Sequence, residues 1–377
     1  MYFTDAHGEL RGQVRRFLER EVAPHLEDWE RTTFPDSVFE RMGDLGFLGL
    51  RYPPEYGGQG GDYFTAVVLS EELARIQSGG LGMAVAVHTE MATPPLLRFG
   101  TEEQRLRFLV PAVQGRRIAA LAISEPGAGS DVAAIETSAV RDGDAYVLRG
   151  SKTFITNGAR CAWALVAART GRGRGHEGLS LFVVERGAPG FKVGRRLEKL
   201  GMHSSDTAEL VFDGCRVPAA NLVGEEGEGF KNLMWELQGE RLIAACGAVA
   251  GAQATFDYAL GYAKERTAFG RAIAEFQVVK HRLVDMATRI ATARAFVYET
   301  ARRWDEGEYP VREISQAKLV ATQVAVEVAD DAIQILGGHG YMREFPVERA
   351  WRDARLGRIG AGTDEIMKEI IAKTFGL

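Results

Sequence analysis

The chain has 377 residues, 46% of them hydrophobic and 26% charged, with a formal net charge of −5; this is ordinary globular composition, long enough for two or three domains with ample core. The negative charge disfavours nucleic acid as a partner, the one basic stretch being Arg169, Arg172 and Arg174 among glycines. The longest apolar run, Leu242 to Ala252, is too short to span a bilayer, and Cys161, Cys215 and Cys246 are too far apart for a metal-type pair and fit a reducing cytoplasm.

The start, Met1 to Leu10, carries no basic-then-apolar signal pattern. Val14, Phe17, Leu18 and Val22 mark a first amphipathic helix, and Val38, Met42 and Leu45 a second that ends at Gly46. Tyr63 to Ile76 is a third. Thr101-Glu102-Glu103-Gln104 is a capping box that opens a fourth, running toward Pro111. The texture changes near Arg117. Ile118 to Ser124 is a short apolar run that leads into Glu125-Pro126-Gly127-Ala128-Gly129-Ser130-Asp131. Runs at 145–148, 153–156, 163–167, 179–184 and 209–212 follow, separated by Gly, Asp and Asn turns. They read as a small β-barrel or sandwich, with Asp142-Gly143 and Asn157-Gly158 as hairpin turns and Arg169 to Gly178 as an exposed loop. From about Glu225 the helical period returns: Phe230 to Glu265, Phe276 to Glu306 and Val311 to Leu336 form an antiparallel bundle, with a last helix from near Thr363 to Phe375. The chain therefore divides into a helical part (1–117), a β part (118–224) and a helical bundle (225–377).

One residue breaks the pattern. Leu233, Leu237, Glu240, Ala244, Gly247 and Gly251 trace one face of the helix beginning near 230, and only the glutamate is neither apolar nor small. A carboxylate in such a seam is costly to bury ionised, so its pKa should rise, which suits a general base beside small residues that leave room for a ligand. The alternative is a glutamate at the stripe's edge, solvated or paired with Arg241. Other segments are weak singly. The Glu125–Asp131 turn lets backbone N–H groups approach a ligand, but it is not a dinucleotide fingerprint. Phe154 on the strand before Asn157 has a core position as its default, and Thr156 offers a hydroxyl for a ring heteroatom. Arg266-Thr267-Ala268-Phe269-Gly270 with Gln277 suits a diphosphate and adenine, or is a solvated loop. Gln334-Ile335-Leu336-Gly337-Gly338-His339-Gly340-Tyr341 has more glycine than a helix C-cap needs, and His339 has no metal-ligand partner beside it. Ile359 to Glu365 is a glycine loop that Thr363 closes as an N-cap.

Taken together, and in order, these segments resemble the acyl-CoA dehydrogenase family over nearly the whole chain. The matching stretches are Ile123 to Asp131, Phe154 to Gly158, Arg266 to Gly270 with Gln277, Gln334 to Tyr341, and Gly362-Thr363. The resemblance implies a mainly α fold with a central β domain: an N-terminal helical domain, a middle β-barrel and a C-terminal four-helix bundle. It implies FAD, with Ile123, Ser124, Phe154, Ile155 and Thr156 bordering the flavin ring. Thr363 and Glu365 would lie by the adenosine diphosphate portion. Arg266, Phe269, Gln277, Gln334, Gly337 and Gly338 would hold the cofactor across a subunit interface of a homotetramer. Ser130, Arg241, Ala361 and Gly362 would lie near an acyl-CoA. The implied reaction is α,β-dehydrogenation of the thioester to a trans-2-enoyl product, a base taking the Cα proton and flavin N5 the Cβ hydride, with electrons passed on to an electron-transferring flavoprotein.

The chain departs from the commonest pattern of that family. Many members carry the base in a Tyr-Glu-Gly-Thr loop, and here Gly360-Ala361-Gly362-Thr363 puts alanine at that place. A subset similar to isovaleryl- and long-chain acyl-CoA dehydrogenases carries the base on the bundle helix, in a Glu-Arg segment that Glu240-Arg241-Leu242-Ile243 matches. Glu240 is therefore the expected base, and the Ala361 amide the expected donor to the thioester carbonyl. A flavin oxidase or monooxygenase of the same fold, or a non-catalytic flavoprotein, are the alternatives.

Overall fold

The computed structural model describes residues 2–171 and 175–377, so Arg172 and Arg174 of the basic stretch lie outside the described residues. The first third is helical: α1 (Asp5–Phe17), α2 (Leu26–Arg31), α3 (Ser37–Asp44), α4 (Tyr63–Arg75), α5 (Gly79–Ala86), α6 (Pro94–Phe99), α7 (Glu102–Gln104) and α8 (Val110–Val113). The capping box forms as expected: the Thr101 hydroxyl accepts from the Gln104 N–H, and the Gln104 carboxamide oxygen accepts from the Thr101 N–H. Gln104 also donates to the carbonyls of Ala220 and Leu222, so this cap fastens the helices to the β part. His88 is a second fastener. Its Nε2 donates to the Ala112 carbonyl and its Nδ1 accepts from the Ala119 N–H, and burial pushes its pKa down to about 4.

The middle third contains β1 (Ala119–Ala122), β2 (Ser138–Asp142), β3 (Ala145–Thr156), β4 (Trp163–Arg169), β5 (Leu179–Glu185), β6 (Phe191–Arg196), β7 (Thr207–Pro218) and β8 (Leu222–Val223). They form one mixed sheet in the order β6-β7-β3-β2-β4-β5-β8, with β1 parallel to β4. A single bridge, Ser138 to Arg169, joins the two halves, and the halves face each other across one core. Ala164, Val166 and Phe182 from one half meet Tyr146, Leu148, Leu210 and Phe212 from the other. Trp163, Leu165 and Ala167 point the opposite way, into a core shared with Leu96 and Phe108 of the N-terminal helices and Leu233 of the bundle. Both faces of β4 are thus buried, which is why Trp163 to Ala168 reads as an unbroken apolar run. Among the described residues β6 and β8 do not pair with each other, so the sheet wraps a barrel-like core without closing.

Of the two expected hairpin turns, only the first is one. Asp142 pairs with Ala145 across a two-residue turn in which Gly143 is left-handed. Asn157 instead turns the chain between β3 and β4, which are not neighbours. Its backbone is left-handed, a conformation asparagine tolerates better than most residues. Its buried amide donates to Ala84 and Ala119, so tertiary contacts select this turn.

The last third has α9 (Gly229–Glu265), α10 (Gln277–Asp305), α11 (Val311–Leu336), α12 (Pro346–Gly357) and α13 (Asp364–Thr374), with a two-stranded ribbon, β9 (Thr267–Ala268) and β10 (Arg271–Ala272), between α9 and α10. Helices α9, α10 and α11 pack on one another through Ala245, Val249, Met286, Ile290, Ala317, Ala321 and Val328. The larger of these side chains, Val249, Met286, Ile290 and Val328, contribute roughly 1.5–3 kcal/mol each on burial. The sequence reading missed α12, a short helix rich in arginine. Arg349 is nonetheless buried, its Nε donating to the Gln77 carbonyl and a terminal nitrogen pairing with Glu27.

Candidate active site

The α9 face predicted from spacing is real, and it does two jobs. At its start Leu233 belongs to the core under the sheet. Further on, Ala244, Gly247 and Gly251 line a cavity of about 210 Å³ with Leu69, Leu73 and Met83 of α4 and α5. Ala325 of α11 and Ala354 of α12 complete its apolar walls. A glycine inside a helix costs about 0.5–1 kcal/mol relative to alanine. At Gly247 a Cβ would already stand 3.0 Å from the Ser70 hydroxyl, and at Gly251 it would project into open space. The small residues therefore keep the cavity open. Its lining on α9 runs from Ile243 to Thr255, about 18 Å along the helix axis.

Glu240 stands one helical turn before Ala244, where the cavity begins. It is half-buried, and Arg241 makes no ion pair with it. Loss of water raises its pKa to about 7; Arg241, Lys318 and the neighbouring Glu236 carboxyl pull it back from a higher value. Arg241 is occupied elsewhere, its Nε donating to the Ala361 carbonyl at 3.0 Å. Lys318, fully buried on α11, donates to the Gly362 carbonyl at 2.6 Å. Two buried cations thus hold the 360–363 loop by its carbonyls. Ala361 sits in the left-handed region at φ +56°, a strain of about 1–2 kcal/mol for a residue with a Cβ. Among the described residues its N–H has no acceptor. The result is a backbone donor fixed beside the carboxyl-bearing helix. Thr363 caps α13 through the Ile366 N–H, and Gly362 at φ +100° allows the turn.

A second group of predicted residues lies along the edge of β1 and β3. Lys152 is fully buried and donates to the Ile123 carbonyl and to Glu125, both at 2.8 Å. Burial alone would raise the Glu125 carboxyl, but the Lys152 charge and the N–H groups of Thr137 and Glu136 hold it below the usual range. The Ser124 carbonyl accepts from the Thr153 N–H. A register shift in the β3–β7 pairing between Lys152 and Ile155 then throws Phe154 outward. Phe154 is 72% exposed with φ +60°, so its default as a core residue is wrong. Strained backbone of this kind clusters at ligand sites. Ile155, by contrast, is buried in the sheet core, so its side chain does not face that edge. Thr156 pairs in register with Thr207, and Ser130 is exposed in the turn after β1.

Removing the Lys152 charge has a definite consequence. Lys152→Met leaves the Glu125 carboxylate buried and unpaired, which is expected to cost about 3–5 kcal/mol in urea unfolding. Adding Glu125→Gln should recover most of it. A Lys152→Met protein as stable as the parent would show that the pair is not structural.

Arg266, Phe269, Gln277, Gln334, Gly337 and Gly338 form a third group, all exposed. Phe269 is 96% exposed with φ +53° at the tip of the β9–β10 ribbon. The glycines separate by role. Gly340 is tight against Ile333, where a Cβ would meet the carbonyl at 2.5 Å, whereas Cβ atoms at 337 and 338 would meet nothing within 4 Å. The last two are thus not explained by packing within the chain. His339 Nδ1 is hydrogen-bonded to the Tyr262 hydroxyl. No hydrogen bond among the described residues joins this group to the Ile123–Thr156 edge. Glu365 is exposed on the first turn of α13, while its neighbour Asp364 is buried with Arg358 and Gln323.

These residues fit FAD: an outward aromatic on strained backbone for a planar ring, an open glycine corner, and arginine with glutamine at a helix end. Three residues the sequence reading passed over prove central, namely Lys152, Lys318 and Glu236. Only Glu236 left a trace, four residues before Glu240 on the same helical face.

The models for the acyl-CoA dehydrogenase N-terminal, middle and C-terminal domains match residues 4–116, 120–215 and 227–376. A mitochondrial isovaleryl-CoA dehydrogenase of Solanum tuberosum is 40% identical over 376 residues, 99% of this chain and 91% of the relative. A mitochondrial long-chain specific acyl-CoA dehydrogenase of Sus scrofa is 40% identical over 375 residues, 98% of this chain and 86% of the relative. The crystal structure of acyl-CoA dehydrogenase from Geobacillus kaustophilus superposes with a TM-score of 0.97 at 45% identity, covering 100% of this chain and 99% of that one. Among the described residues no helix is long and apolar enough to cross a membrane.

Proposed function

We propose that this chain, which belongs to the acyl-CoA dehydrogenase family, uses Glu240 as the base in α,β-dehydrogenation of a straight acyl thioester of about twelve to sixteen carbons. The family assignment makes it an FAD-dependent oxidoreductase acting on acyl-CoA. FAD, when bound, supplies the acceptor for the Cβ hydride. The protein's own part is to bind, orient and deprotonate. Glu240, with its pKa near 7, is ionised for a large fraction of the protein at neutral pH and is basic enough to take an activated Cα proton. The Ala361 N–H, held by Arg241 and Lys318, supports the reading by offering a donor to the thioester oxygen as charge develops there. Ser130 and Gly362 border the same path, and Phe154 with Ile123, Ser124 and Thr156 would hold the ring.

The observation that carries this reading is the placement of a half-buried, raised-pKa carboxyl one helical turn before the α9 lining of an apolar cavity. Chain length follows from the cavity's reach. About 18 Å of helix axis, at about 1.2 Å per bond of an extended chain, takes roughly fifteen methylenes, and each buried methylene contributes about 0.8 kcal/mol. Anaerobic mixing with butyryl-, isovaleryl-, octanoyl-, dodecanoyl- and hexadecanoyl-CoA, followed by flavin absorbance, should give the fastest flavin reduction with dodecanoyl- and hexadecanoyl-CoA. A preference for isovaleryl-CoA would overturn the chain-length reading. Rapid turnover with oxygen alone would favour a flavin oxidase.

The exposed group, Arg266, Phe269, Gln277, Gln334, Gly337 and Gly338, belongs to the same reading. These residues touch the cofactor of another copy in a homotetramer, and electrons leave to an electron-transferring flavoprotein.

A further inference from the structure

Glu236 is among the least expected groups in the molecule. It is 2% exposed, on α9 exactly one turn before Glu240, and no protein donor reaches either of its carboxyl oxygens. Buried carboxylates are ordinarily paired or hydrogen-bonded, and an orphan of this kind calls for an explanation. The cations on neighbouring elements make other contacts. Arg241 of α9 donates to Ala361, and Lys318 of α11 donates to Gly362. Arg98 of α6 lies over the Trp235 ring at 4.5 Å. The Tyr309 hydroxyl, before α11, donates to the Met234 carbonyl, and Asp364 of α13 pairs with Arg358. Its neighbour one turn on along α9 is the Glu240 carboxyl, close enough for each group to shift the other's pKa. Two carboxylates offer acceptors only, so a proton must join them.

We propose that Glu236 is a carboxylic acid in the resting enzyme and a positioning residue, donating its O–H to the Glu240 carboxylate and holding that base ionised one helical turn before the α9 lining of the apolar cavity. This rests on the reading of Glu240 as base. The proton count is simple. The resting pair carries one proton, on Glu236. When Glu240 takes the Cα proton the pair carries two protons and no charge, and the second is lost to water once product has left. Burial and the neighbouring Glu240 charge both push the Glu236 carboxyl well above the usual carboxylate range, which favours its being the protonated partner.

The test is the pH profile of flavin reduction by dodecanoyl-CoA in the FAD-loaded enzyme. Glu236→Gln keeps a donor of the same shape, and its acid limb should coincide with the parent's. Glu236→Ala removes the donor, and its acid limb should move up by about one pH unit, slowing reduction at pH 6 roughly tenfold while leaving the alkaline plateau nearly unchanged. An infrared band of a protonated carboxyl should be present in the parent and lost in both variants. Retained FAD absorbance reports that each variant is folded. An unmoved acid limb in Glu236→Ala, or an equal shift in both variants, would overturn the proposal. A Glu240→Gln enzyme that still reduces its flavin rapidly would instead overturn the base assignment beneath it.

Discussion

Replacing Glu240 with glutamine should slow flavin reduction by an acyl-CoA by about 10³-fold or more, while FAD content and acyl-CoA affinity stay close to those of the parent. The size follows from the usual contribution of a positioned base, roughly 10²–10⁴-fold. Glutamine has the same shape and can still accept a hydrogen bond, so packing of α9 is preserved and only the capacity to hold a proton is lost. The site also predicts a rescue. Ala361 lies on a loop bonded to Arg241, the residue after Glu240, so a carboxyl placed at 361 has access to the same region. Glu240→Gly combined with Ala361→Glu should regain a substantial part of the lost rate in single-turnover flavin reduction. A Glu240→Gln enzyme with near-parental reduction would remove the assignment.

Filling the cavity should change selectivity just as sharply. Gly251 faces the cavity, and a Cβ there meets nothing within 4 Å, so Gly251→Leu should be accommodated in the fold and should occupy the deep part of the space. It stands eight residues beyond Ile243, about 12 Å along the axis, so chains beyond about ten carbons lose their seat. Loss of roughly five methylenes' burial, at about 0.8 kcal/mol each, amounts to about 4 kcal/mol, or roughly 10³-fold in kcat/KM for hexadecanoyl-CoA. Butyryl-CoA, which does not reach that depth, should be turned over as before. Equal losses on both substrates would mean that the acyl chain does not run along α9.

Much of the architecture was legible in residue patterns. The capping box at Thr101, the Asp142-Gly143 hairpin and the three long bundle helices follow from local rules of hydrogen bonding and periodicity, and each is present. Helix α12 escaped because its charge hides its packing: Arg349 reads as surface, and only its bonds to Gln77 and Glu27 make it buried. Asn157-Gly158 has the composition of a hairpin turn, yet its amide bridges α5 and β1, an arrangement no local signal contains.

The candidate site divides in the same way. Glu240 and the alanine at 361 stand out in the sequence because a carboxylate interrupts an apolar face and a side chain without acid–base chemistry occupies a glycine loop; both are one-dimensional facts. The outward turn of Phe154 depends on a register shift against β7 and on the Lys152–Glu125 pair behind it. The clamp on Ala361 and Gly362 needs Arg241 and Lys318, which come from helices more than forty residues distant from that loop at the nearer. The sequence alone therefore determined which residue types carry the chemistry and the order of the helical and β parts, since period, caps and turns act over a few residues. Only the tertiary structure decided which charges are buried, which carboxyl is left without a donor beside Glu240, and how far the apolar cavity extends. Desolvation and cavity shape arise from groups that meet only when distant segments pack together.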